Sequence, residues 1–212
     1  MAQRIAKFLS YLFHPMLMPS YGTALIIWAN PHLFGAYKLK GQALWLIIVF
    51  IMTFIFPAVW LFLMKRLELI SDYQFVNAKD RIIPYIAIAT FYLWTFKLFK
   101  PTAEFTPYSN QLISLMMLGS SVTIFIGFFV NIFRKISLHA MGVGAMAGLV
   151  IALMRISDFD LRLVFIIVLL LGGIIGSARL LLQAHEPREI WWGYGAGFIG
   201  QWVAWVLIGL SF

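Results

Sequence analysis

Arg179 is followed after five residues by His185, and after three more by Glu189. An imidazole one helical turn from a carboxylate can have its ring oriented and its cation stabilised. The arginine offers a planar fork suited to phosphate. A second group, Lys135, Ser137 and His139, opens an apolar stretch ahead of these, and a third, Lys79 and Arg81 ahead of Pro84, opens a still earlier one. Cleaving a phosphate ester needs cations and donors around the phosphate oxygens, a nucleophile in line, and an acid for the leaving oxygen. Lys79, Arg81 and Arg179 supply the charge, and Ser137 stands where a helix N-cap would be, ahead of N–H groups that favour anions. Of His139 and His185, one would be the nucleophile and the other the acid.

Each residue also has a plainer explanation. Histidines at helix ends are commonly interfacial, and Arg179 can extend its head to the membrane surface. Held inside an apolar bundle, however, a cation is costly without a partner and marks a functional candidate. Lys79 and Arg81 serve equally as loop anchors, and Lys135 beside Arg134 as a topology signal. His14, next to Pro15, falls on the same face as the candidates, whereas His32 falls on the other and reads as structural. Asp158 and Asp160, beside Arg155 and Arg162, read as solvated ion pairs.

The elements that must position these groups are membrane helices. Of 212 residues 62% are hydrophobic and only 11% charged, with a mean hydropathy of +0.91. Too little polar surface is left to cover a soluble globule. A span needs about 20 apolar residues, and seven stretches approach this: 12–34, 43–64, 82–99, 111–133, 136–154, 161–182 and 190–210. The expected fold is an all-α polytopic transmembrane bundle of six to seven spans, forming one integral membrane domain over 1–212. The first stretch is weak, broken by Pro15, Pro19 and Pro31, and reads as a retained helix rather than a cleaved signal. Small residues in the fifth and seventh stretches suit close helix packing, and the tryptophans near both ends of the last suit membrane interfaces. With no cysteine, disulfides and thiolate metal sites are excluded. A net charge of +8 fits lipid headgroups or phosphate, or plain interfacial anchoring.

Threading the seven stretches puts 1–10, 65–81, 134–135 and 177–189 on one face, which therefore holds every chemical candidate. That face also carries ten of the 16 lysines and arginines, which taken literally makes it cytoplasmic. Setting aside Lys79, Arg81, Lys135 and Arg179 as phosphate ligands leaves the two faces equal. Charged groups at helix ends on one face also argue against a transporter, whose ionisable groups lie near the midplane.

Between about 65 and 200 the chain resembles the phosphatidic acid phosphatase type 2 superfamily, in a divergent bacterial form. The third motif of that superfamily, Ser-Arg-x5-His-x3-Asp, is matched by Ala178-Arg179 through His185 to Glu189, with Ala for Ser and Glu for Asp. The second, Pro-Ser-Gly-His, is matched at Ser137 and His139, with Leu138 replacing the glycine. The first, Lys-x6-Arg-Pro, resembles 79–84 only loosely, and two spans separate it from the second motif instead of one loop. The resemblance implies that His185 attacks phosphorus with Glu189 in support, while His139 protonates the leaving alcohol. Lys79, Arg81, Ser137 and Arg179 would hold the phosphate, and Lys135 could join them. It also implies an enzyme with no metal or other cofactor, acting on lipid phosphates at the outer face of a bacterial inner membrane. The partners expected are the bilayer and a lipid phosphate, not nucleic acid. A phosphotransferase, or a binding protein that has lost turnover, would show the same residues.

Overall fold

The computed structural model describes residues 1–34, 39–69, 78–100, 108–157 and 159–208, without the side chains of 39, 40, 78–80, 108, 109, 207 and 208. Among these residues the chain is all helical, with no strand. Helix α1 (Ala2–Leu12) is amphipathic and packs on α8, burying Ala6 and Ser10 while Ile5, Phe8 and Tyr11 stay exposed. Its 11 residues rise only about 16 Å, too little to cross a bilayer. The chain then breaks. Proline disfavours helical backbone in the residue before it, and His14 is extended at φ −61, ψ 136. A single 3-10 turn, Pro15–Leu17, leads into α2 (Met18–Ala29). Of the weak first stretch, 12–34, only α2 is α-helical; α1 ends where the stretch begins, and His14-Pro15 separates the two.

Helices α3 (Leu39–Phe50) and α4 (Phe56–Arg66) run on through a wider π turn, Ile51–Ile55. Pro57, which cannot donate to the ladder, follows that turn. Then come α5 (Ala78–Phe99), α6 (Tyr108–Phe133), α7 (Leu138–Leu153), α8 (Arg162–Leu181) and α9 (Pro187–Ile208). Among the described residues four stretches are long and apolar enough to cross a membrane: Gly41–Arg66, Arg81–Phe99, Asn110–Phe133 and Arg162–Leu181. At 16 residues α7 is apolar but shorter. Helix α9 has the length, but its glycines, tryptophans and Gln201 dilute its hydropathy.

Helix α9 packs along α6 and α7 and reaches α8 through the Tyr194 side chain. A Cβ on Gly197 would overlap the Met141 carbonyl of α7 and come 2.6 Å from the Ala145 nitrogen, so the two backbones touch there. This is the small-residue packing that lipid demands of helices. Polar links bind the other flanks: Tyr194 Oη donates to the Gly172 carbonyl of α8 at 2.5 Å, and Gln201 Nε2 to the Met116 carbonyl of α6 at 3.1 Å. The N-termini of α7 and α9 and the C-terminus of α8 are thereby held together at one end of the bundle.

Candidate active site

The turn from α8 to α9 is built by local rules. Gln183 takes the left-handed conformation (φ 53), and the amides of Gln183 and Ala184 return to the carbonyls of Leu180 and Arg179. That is a Schellman closure with a non-glycine residue at its left-handed position. Gln183→Gly should relieve the left-handed strain and stabilise the fold by about 0.5–1 kcal/mol, seen as a small rise in Tm in detergent. The reversal delivers His185 just ahead of Pro187, the first residue of α9. Glu189 Oε2 then accepts the Glu186 amide at 3.3 Å and meets His185 Nδ1 at 2.7 Å. A carboxylate only accepts, so Nδ1 carries the proton and Nε2 keeps its lone pair. Burial pushes the His185 imidazole below its ordinary value, to about 4. Nearby Arg179 and Lys135 act in the same direction, and Glu189 opposes them. His185 is therefore neutral near pH 7, as a nucleophile must be.

A cavity of about 570 Å³ opens beside this dyad. It is lined by Arg81 of α5, Lys135 from the turn between α6 and α7, His139 of α7, Arg179 of α8 and His185, and by His14 from the break after α1. Tyr85, Ile88 and Tyr92 of α5, with Leu61 and Ile124, form an apolar floor. Tyr92 lies 11 positions beyond Arg81, a rise of about 16 Å along the helix. The described lining residues include three permanent cations and no carboxylate.

Each cation is held from behind. Arg81 Nη1 donates to Asn131 Oδ1 of α6 at 3.1 Å, and Lys135 Nζ to the Ala184 carbonyl at 2.7 Å, which joins two turns. Arg179 Nη1 donates to Ser10 Oγ at 3.3 Å, while its buried Nε has no partner among the described residues. His139 Nε2 lies 3.0 Å from the Ser10 carbonyl, which fixes a proton on Nε2 and leaves Nδ1 available. Helix α1 thus braces both Arg179 and His139 through one serine.

The structure brings Arg81, Lys135, His139, Arg179 and His185 together, with Glu189 directly behind His185. Ser137 is not among the lining groups. It is fully buried as the N-cap of α7, its Oγ accepting the Ala140 amide at 3.4 Å and its own amide bonded to the Glu189 carbonyl at 3.3 Å. Ser137 therefore joins the starts of α7 and α9. Lys79 lies in the first turn of α5, and its side chain is outside the described residues. Sequence reasoning did not find Ser10 or Asn131. For Asn131 a signal existed, since a buried amide near the end of an apolar helix implies a partner. Ser10, in a short amphipathic helix, carried none.

No protein-family model, curated protein or solved structure matches this chain. The chemistry must be read from the site itself. Among the described residues no three His, Cys, Asp or Glu side chains are placed to hold a metal. The groups present can bind an anion with several oxygens, attack it through a neutral imidazole, and exchange a proton through a second one. That is the equipment of phosphoryl transfer.

Proposed function

We propose that this protein is a membrane lipid-phosphate phosphohydrolase working through a phosphohistidine, in the manner of the phosphatidic acid phosphatase type 2 superfamily. One observation carries the reading: a cavity with three cations and no carboxylate among its described lining residues, beside an imidazole held neutral by burial and oriented by Glu189. The apolar floor suits a lipid chain, and the cationic mouth its phosphate.

In the first step the His185 Nε2 lone pair forms a bond to phosphorus as the bond to the ester oxygen breaks. The leaving oxygen takes a proton from Nδ1 of His139, which receives it from the bound phosphate monoanion while its Nε2–H stays on the Ser10 carbonyl. Water then attacks phosphorus, giving its proton through His139 Nδ1 to a phosphate oxygen. The N–P bond breaks, releasing phosphate and restoring neutral His185. Glu189 stabilises the positive charge on the ring between the steps. Arg81, Arg179 and Lys135 neutralise the oxygens throughout, and no step invokes a metal. Helices α7 and α9 are read as further spans, and α2 carries the chain from the site's face to the start of α3, giving seven crossings with α1 at the interface. We read the site as facing the outer side of a bacterial inner membrane, as the resemblance to that superfamily implies.

The test is phosphate release by the purified protein from phosphatidic acid, phosphatidylglycerol phosphate and polyprenyl pyrophosphate, with a chelator present. Release by the parent and none by His185→Ala is the expected result. Binding without release would instead favour a protein that only holds lipid phosphates. Leu138 speaks for that second reading, because its side chain lines the cavity where the superfamily has glycine. The pH profile is a separate check. His185 protonates only as pH falls from its ordinary 6.5 towards about 4, so its acid limb in kcat/KM should fall well below pH 6.5. The same shift makes the folded state bind fewer protons than the unfolded chain. The stability it contributes is complete above pH 6.5 and is lost as pH falls towards 4.

A further inference from the structure

His14 lies far from every motif and outside residues 65–200, yet it lines the same cavity, its ring centroid 5.9 Å from that of His139. Its placement follows from the chain break. Pro15 has no amide hydrogen, so the first free donor of the turn is the Met16 amide, and His14 Nδ1 accepts it at 3.3 Å. Gly142 of α7 lets the turn approach: a Cβ there would lie 2.8 Å from Met18 Cγ and 3.7 Å from the Pro15 Cα. Across the cavity His14 faces His139 of α7 and Arg179 of α8, with the Phe54 ring edge-on behind it at 6.5 Å.

Resting on the phosphohydrolase reading, we infer that His14 is a third imidazole of the site, a neutral hydrogen-bond donor to a phosphate oxygen. A nitrogen that accepts a backbone N–H cannot itself carry a proton. The proton of neutral His14 is therefore on Nε2, which makes no bond to a described protein group. Protonating Nδ1 as well would set N–H against N–H, so His14 is not the acid of the reaction. A neutral imidazole in this state donates without delivering a proton, and can stabilise an oxygen as charge builds on it. The three rings then divide the work by tautomer. His185 offers a lone pair, His139 exchanges a proton at Nδ1, and His14 donates a fixed hydrogen bond.

Two substitutions separate the cap from the donor. In His14→Asn the amide oxygen can still accept the Met16 amide, but nothing reaches the Nε2 position. In His14→Gln an amide N–H can extend to that position. The full chain in detergent would be titrated with inorganic phosphate by calorimetry and assayed for lipid-phosphate hydrolysis. His14→Asn should weaken phosphate binding and lower kcat/KM by about ten- to a hundred-fold, with His14→Gln recovering to within about three-fold of the parent. Histidine 15N spectra of the parent supply a readout that needs no variant: the His14 ring should stay neutral, protonated on Nε2, and that nitrogen should shift as phosphate is added. Normal binding by His14→Asn, or a His14 signal that phosphate leaves unmoved, overturns the donor role while leaving the phosphohydrolase reading in place. A parent that neither binds phosphate nor hydrolyses any lipid phosphate overturns both.

Discussion

Replacing His185 with alanine should remove phosphate release from every lipid phosphate the parent hydrolyses, a loss of about a thousand-fold or more. The ring has one nitrogen spent on Glu189 at 2.7 Å and one left with a lone pair, so the substitution deletes the nucleophile and not merely a ligand. The fold should survive. Glu189 still caps the Glu186 amide, and the turn is closed by backbone bonds that do not use the imidazole. Rapid acid-free quenching of the parent with labelled substrate should trap a base-stable phosphoprotein, and His185→Ala should trap none. Activity within ten-fold of the parent would assign the nucleophile elsewhere.

The largest structural effect is expected at Gly197. In Gly197→Ala the new methyl meets backbone on both sides, the Met141 carbonyl and the Ala145 nitrogen, and neither can move without shifting α7. Overpacking of this kind costs about 3 kcal/mol. Thermal unfolding in detergent should fall by about 10 °C. Phosphate turnover should fall with it, because α7 carries His139 and α9 carries the Glu189 that orients His185. Gly195 is the control. Its added Cβ would meet nothing within 4 Å, so Gly195→Ala should hold or slightly raise the midpoint through helix propensity. Equal losses from both substitutions would refute the packing account.

Part of this site was written in local sequence. The spacing of His185 and Glu189 places carboxylate and imidazole together on one helix start, and Ser137 caps α7 as a serine before an apolar helix should. Interactions between residues three or four apart follow from helix geometry, whatever surrounds the helix. The all-helical fold was equally legible, since apolar composition at this level leaves the backbone few other ways to satisfy its hydrogen bonds. The number of crossings was less so. Hydropathy reports contact with lipid, and α9 buries its glycine and Gln201 face against α6 and α7 while Trp191, Trp192 and Trp202 stay exposed, so its buried face can carry residues that a lipid-facing one would not favour.

The tertiary structure alone decided which groups share a cavity. Arg81, Lys135, His139 and Arg179 belong to separate elements, and only the packing of α5 on α6, of α6 and α7 on α9, and of α8 on α7 brings those helix ends to one place. It also moved Ser137 out of the ligand set, because a hydroxyl spent on a buried cap is not available to phosphate. And it brought in Ser10 and His14, 129 and 125 positions before His139, through a proline break and the glycine that lets it approach α7. Covalent neighbours constrain one another through a few dihedral angles, and a sequence displays those constraints directly. Contacts across such separations arise from how whole surfaces fit, and no single residue's type or spacing records that.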